Sequence, residues 1–269
     1  CNELFAGAAA GAPVDCDGKP VRGYAVLRGV SGTYAVEVDG RPLGGGLTRE
    51  EASSLLMQDI TDWTVSKLVR ESALAHASSN RAGDGAVLCI GPSGSGKTSL
   101  ALALAKYWSL RGDECSCVDL GAGMTWTEPL PVNVKAGNGF AMGLSDGGEA
   151  LPCESGLHGR TFCFSRQTVR SDPNPLERAK IRALVFPMYD EGIKGVEVGR
   201  PAHDALVPLV LGSLLGEGRP SGLLREFMRM VSAYDIKLFS VRYSDAEAAA
   251  RSLVELVEGR ERSCCVQVG

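Results

Sequence analysis

The sequence predicts an α/β fold built around a phosphate-loop sheet, with a small β-meander and a helix ahead of it. Three observations carry this prediction. The apolar run Ala86–Ile90 has the character of a strand buried on both faces. It leads directly into Gly91-Pro92-Ser93-Gly94-Ser95-Gly96-Lys97-Thr98, which matches G-x-x-x-x-G-K-[ST] at each fixed position, and helix-forming sequence follows. Short strand-like runs separated by turn residues stand closer to the N-terminus.

Composition bounds the function classes. The 269 residues carry 28 Lys and Arg against 32 Asp and Glu, a net charge of −4, which argues against a basic nucleic-acid footprint or a polybasic membrane surface. Apolar residues make up 44% and charged residues 22%, a globular balance. A chain of this size buries roughly 70–75% of its unfolded surface and needs no disulfide or metal to fold. Its nine cysteines show no framework spacing, which points to free thiols in a reducing compartment. With no basic leader and no apolar run approaching ~20 residues, the expected address is the cytoplasm, with no membrane and no nucleic acid among the partners.

In chain order, residues 1–20 read as a loose N-terminus, 21–80 as a small α/β appendage, 81–260 as the phosphate-loop core with C-terminal helices, and 261–269 as a tail. Tyr24–Leu27 and Thr33–Val38, with Gly-containing turns beside them, predict an antiparallel meander. Thr48-Arg49-Glu50-Glu51 is a capping box opening a helix to about Ser72. After the phosphate loop a helix is expected from Lys97 to Leu110, stopped by Gly112, and then a strand from Cys115 to Val118. This strand–helix–strand order predicts a right-handed βαβ unit. Residues 137–160 hold seven glycines and read as an irregular functional loop. A buried strand is expected at Ala183–Phe186, helices near 204–216, 221–234 and 245–258, and a strand at Ile236–Val241.

Each position of the phosphate loop has a physical reason. Glycines allow a tight turn that brings several N–H groups onto one polyphosphate, and the helix beginning at Lys97 turns its positive end toward the same point. Lys97 supplies charge for the β/γ oxygens, and the Thr98 hydroxyl can ligate Mg²⁺. Gly91, Pro92, Ser93, Gly94, Ser95, Gly96, Lys97, Thr98 and Ser99 are the expected nucleotide contacts. Phosphoryl transfer also needs a carboxylate for metal or proton. Asp119, at the end of the Cys115–Val118 strand, is the preferred candidate for both roles; Asp190-Glu191 is the alternative.

The stretch Ala75-His76-Ala77, then Gly85, the Ala86–Ile90 strand and the phosphate loop, resembles the HPr kinase/phosphorylase-like P-loop kinases. The likeness continues through Arg111-Gly112, Asp119 and Pro129-Leu130-Pro131-Val132-Asn133-Val134-Lys135, and covers roughly residues 20–258. It implies a sheet of the HPr kinase C-terminal-domain type. It also implies ATP and Mg²⁺ as cofactors and γ-phosphoryl transfer to a hydroxyl of a protein, a peptide or a small molecule. His76 is then a catalytic candidate beside Asp119 and Lys97, and Lys135, Arg160 and Arg166 are candidate phosphate or acceptor contacts. The family's founding members assemble as hexamers, which implies a homo-oligomer. They carry two adjacent acids at the second strand's end; here the pair aligns to Val118-Asp119, leaving one acid. A non-catalytic nucleotide-binding module and a carboxykinase-like lyase are the rival readings.

Overall fold

The computed structural model describes residues 22–29, 31–68, 73–128, 130, 132–135, 151–155, 159–164, 169–215 and 220–259. The chain divides into two compact units. One comprises 1–71 and 129–169, the other 72–128 and 170–269. The segment 129–169 thus belongs with the N-terminal residues rather than with the phosphate-loop unit.

In the first unit, β1 (Tyr24–Arg28), β2 (Tyr34–Val38) and β3 (Arg41–Leu47) form the expected meander. Asp39 and Gly40 both take positive φ, 52° and 74°, as a two-residue hairpin turn requires. Helix α1 (Arg49–Leu68) starts at the capping box. The Glu51 N–H donates to Thr48 Oγ1 at 3.2 Å, and the Thr48 N–H donates to Glu51 Oε2 at 2.8 Å. Val36, Ala52 and Leu56 form the buried centre of this unit.

The chain then enters the second unit. It runs through β4 (Ala73–Ala75), β5 (Ala77–Ala82), β6 (Gly85–Ile90), α2 (Lys97–Leu104), β7 (Ser109–Gly112), β8 (Ser116–Asp119) and β9 (Met124–Trp126). It returns to the first unit for β10 (Val132–Lys135), β11 (Leu151–Ser155) and β12 (Gly159–Phe164), a second antiparallel sheet. Strands β11 and β12 therefore occupy part of the segment expected to be irregular; residues 136–150 lie outside the described residues. The second unit ends with β13 (Ala179–Tyr189), β14 (Val196–Gly199), α3 (His203–Leu211), β15 (Leu214–Leu215), α4 (Pro220–Ala233), β16 (Lys237–Tyr243) and α5 (Ala246–Glu258). The Asp245 carboxylate caps α5 by accepting from the Glu247 and Ala248 N–H groups, and Gly259 closes the helix in the left-handed region.

A ten-stranded mixed sheet organises this unit. Strand β13 pairs in parallel with β6 on one side and with β16 on the other. Strand β5 is antiparallel to both β6 and β7, so β7 runs parallel to β6 with β5 between them. The crossover expected from the sequence ends on Cys115–Val118; helix α2 leads instead into β7, a strand not expected there, which is separated from β6 by β5. Helix α2 also ends at Leu104, six residues earlier than expected. Trp108 is buried and Ser109–Gly112 pair with β5, so strand pairing ends the helix and Gly112 lies in a strand. Ala86, Leu88, Ile90, Leu184, Phe186, Phe227 and Met230 lie in the core of the second unit.

The sheet curls on itself. Ala75 opposite Ser116 and Ser79 opposite Gly112 share one register, and between them the Ala77 N–H donates to the Glu114 carbonyl at 3.2 Å. The β5–β7 ladder therefore runs on into β4–β8. It is interrupted at His76 on one side and at Asp113–Cys115 on the other, and the β5–β7 register also shifts between Ser79 and Asn80.

Candidate active site

That interruption lies at the phosphate loop. Strands β6 and β7 are parallel, so their C-terminal ends share one edge, and the residue after each strand reaches the same crevice. After β6 come Gly91–Gly96, with Gly94 at φ 84° and Gly96 at φ 96°. After β7 comes Asp113. The Thr98 hydroxyl donates to Asp113 Oδ2 at 3.0 Å and Oδ1 at 3.2 Å, and the buried Ser78 hydroxyl also donates to Oδ1. The backbone here is unusual. The Cys115 N–H donates to the Asp113 carbonyl at 3.0 Å across Glu114, whose φ is 74°. A non-glycine residue held in the left-handed region is the kind of strain that collects at functional sites.

Burial, and then the neighbouring Glu114, push the Asp113 carboxyl up to about 6; the Ser78 and Thr98 hydrogen bonds pull the other way. His76 occupies the matching break between β4 and β5. Its N–H donates to the Ser213 carbonyl at 2.7 Å, and its Nδ1 lies 3.7 Å from Glu114 Oε2. Both side chains are about one-third exposed, so the His76–Glu114 pair is open to solvent while Asp113 is buried behind it. Cys89, on β6, has its thiol pushed up to about 12 by burial and stays protonated.

The loop is tightly built. Lys97 is nearly buried and its Nζ donates to the Gly91 and Pro92 carbonyls at 2.8 and 2.9 Å. A Cβ on Gly91 would approach Ser95 Oγ to 2.8 Å, and one on Gly96 would overlap the Tyr243 hydroxyl. The Tyr243 hydroxyl donates to the Gly96 carbonyl at 2.8 Å. Ser95 Oγ is buried in the turn without a hydrogen-bond partner among the described residues. These features fit a polyphosphate. Thr98 Oγ1 and the Asp113 carboxylate form an oxygen-only donor pair of the kind that Mg²⁺ accepts together with water and phosphate. Among the described residues no cluster of three or more His, Cys, Asp or Glu could hold a metal by itself.

The structure brings Lys97, Thr98, His76 and the rest of the loop to one edge, and adds Asp113 and Glu114. It places Asp119 elsewhere in the bonding network. Asp119 ends β8, where Oδ1 accepts the Gly121 and Ala122 N–H groups and Oδ2 pairs with Arg178 at 3.1 Å. Arg178 itself stacks over Trp126. No hydrogen bond or ion pair joins Asp119 to the phosphate loop among the described residues. Asp190, the alternative acid, is bound to Arg242 at 2.5 Å. Lys135 lies in β10 and Arg160 in β12, both strands of the other unit, and Arg166 lies outside the described residues. Asp113 escaped the sequence reading because a helix drawn to Leu110 leaves it in a loop. The signal available was Tyr107-Trp108-Ser109-Leu110, a run richer in strand-forming residues than the alanine-rich stretch before it.

Comparison with known protein families and with curated proteins returns no match to this chain.

Proposed function

We propose that the protein is an ATP- and Mg²⁺-dependent kinase that transfers the γ-phosphoryl group to a hydroxyl of a protein, peptide or small molecule. The observation carrying this reading is the Thr98–Asp113 bond. It joins the helix that starts at the phosphate loop to an acid just past the end of a parallel strand, the juxtaposition that metal-assisted phosphoryl transfer needs. The resemblance to HPr kinase-like enzymes calls for two adjacent acids, and Asp113-Glu114 supply such a pair beside the loop.

The loop N–H groups and the α2 N-terminus hold the phosphates. Lys97 exchanges its two carbonyl partners for phosphate oxygens. Thr98 and Asp113 would hold Mg²⁺, which would supply neutralisation of phosphate charge. Glu114, with His76 beside it, takes the proton of the attacking hydroxyl. The new bond joins the acceptor oxygen to the γ-phosphorus, the bond to the β-phosphate oxygen breaks, and ADP leaves.

The test is isothermal titration with Mg·ATP, followed by a screen of hydroxyl acceptors with γ-labelled ATP. The expected result is nucleotide binding that Lys97→Ala weakens at least tenfold, and label transfer that the same change abolishes. Binding without transfer to any acceptor would favour a nucleotide-binding module. No binding at millimolar Mg²⁺ would overturn the assignment.

A further inference from the structure

The two sides of β6 differ. On the β5–β7 side stand Thr98 and Asp113, which mark the metal and γ-phosphate end of the loop. A polyphosphate lying along the loop therefore points its other end toward β13 and β16. The residue at the end of β13 is Tyr189. Its N–H donates to the Ser95 carbonyl at 3.0 Å, and its Cβ lies 3.3 Å from the position a side chain on Gly96 would occupy. Its ring meets that of Tyr243 edge to face, at 5.8 Å and 67°, and Tyr243 is in turn bonded to Gly96. Tyr189 is thus fixed at the lip of the loop through its backbone and its ring. Yet 47% of it is exposed, and its hydroxyl makes only a 3.4 Å contact with Glu191.

We propose that Tyr189 is the platform on which the base of the bound nucleotide stacks. The proposal rests on the kinase reading above and deepens it. A rigidly held aromatic loses little freedom when a base lands on it, so the contact is made at low entropic cost. Stacking uses the π-face that every base has, so ATP and GTP should bind with similar affinity.

The experiment is calorimetry on the full chain with two probes, Mg·ATP and Mg·tripolyphosphate. Tyr189→Ala is expected to weaken ATP about tenfold, within the usual range for loss of a base–aromatic stack, and to leave tripolyphosphate within about twofold. Tyr189→Phe is expected to keep both. Retained tripolyphosphate binding shows that the alanine variant folds. Unchanged ATP affinity in Tyr189→Ala overturns the proposal. So does an equal loss for both probes, which would make Tyr189 a support of the loop. If the unaltered chain binds tripolyphosphate but gains nothing from the nucleoside, only the platform fails; if it binds neither, the phosphate-loop reading fails with it.

Discussion

Thr98 shares its hydroxyl with both carboxylate oxygens of Asp113, at 3.0 and 3.2 Å. The two lie 15 positions apart in sequence, with the rest of helix α2, a turn and strand β7 between them. They meet because β7 runs parallel to β6 and stops opposite Ser79, level with Leu88, so that the residues after it run alongside the end of β6. This one contact ties the first turn of α2 to the break in the β5–β7 ladder, where Ser78, Glu114 and His76 also converge.

Asp113 and Asp119 should therefore behave differently. Asp113→Asn is expected to lower label transfer at least a hundredfold, since it removes a charge from the proposed metal and γ-phosphate end. Asp119→Asn is expected to leave transfer within a few-fold, because its lost partners are Arg178 and two turn amides. Steady-state kinetics of the two variants at saturating Mg²⁺ separates them. Equal losses would return the metal-holding role to Asp119.

Asp113 should also shape stability against pH in metal-free protein. Its carboxyl moves from the ordinary 3.8 up to about 6 in the folded state. Between those values the folded chain keeps a proton that the unfolded chain has released. The stabilisation is full below about pH 4 and is lost as pH rises through 6. The shift corresponds to about 3 kcal/mol. Urea denaturation in EDTA at pH 4.5 and 7.5 should show this decline, and Asp113→Asn should flatten it. An identical profile in the variant would assign the pH dependence to other groups.

Gly96→Ala should damage the loop. The residue sits at φ 96°, and the added methyl would overlap the Tyr243 hydroxyl. The strain is expected to cost about 1–3 kcal/mol, and nucleotide binding should fall at least tenfold. Adding Tyr243→Phe removes the overlapping oxygen and should recover part of the stability in thermal melts. No recovery would locate the cost in the backbone alone.

Arg111 anchors the segment leading into β13. It is fully buried, lies 3.1 Å from Asp172, and donates to the Pro175 carbonyl at 2.9 Å and to the Glu177 carbonyl. Arg81 reaches the same Asp172 at 2.8 Å. Arg111→Met is expected to destabilise the protein by about 3–5 kcal/mol, because it leaves buried carbonyls and a carboxylate short of donors. Chemical denaturation measures this. A loss below about 1 kcal/mol would show that Arg81 alone satisfies the cluster.

The residues themselves determined the local parts of this protein. The capping box at Thr48, the Asp39-Gly40 turn, the buried strand Ala86–Ile90, the glycines of the phosphate loop and the α5 helix after Asp245 all depend on neighbours within a few positions. Steric freedom, capping and apolar periodicity act at that range, so a single chain displays them. No helix among the described residues is long and apolar enough to cross a membrane, as the hydropathy also indicated. Tertiary structure decided which acid meets Thr98. That depended on β5 inserting between β6 and β7, on α2 ending at Leu104 where strand pairing takes over, and on a sheet that curls until two ladders join. Those are competitions between hydrogen-bonding partners far apart in the chain. Their outcome places Asp113 at the loop, and Asp119 in a turn held by Arg178.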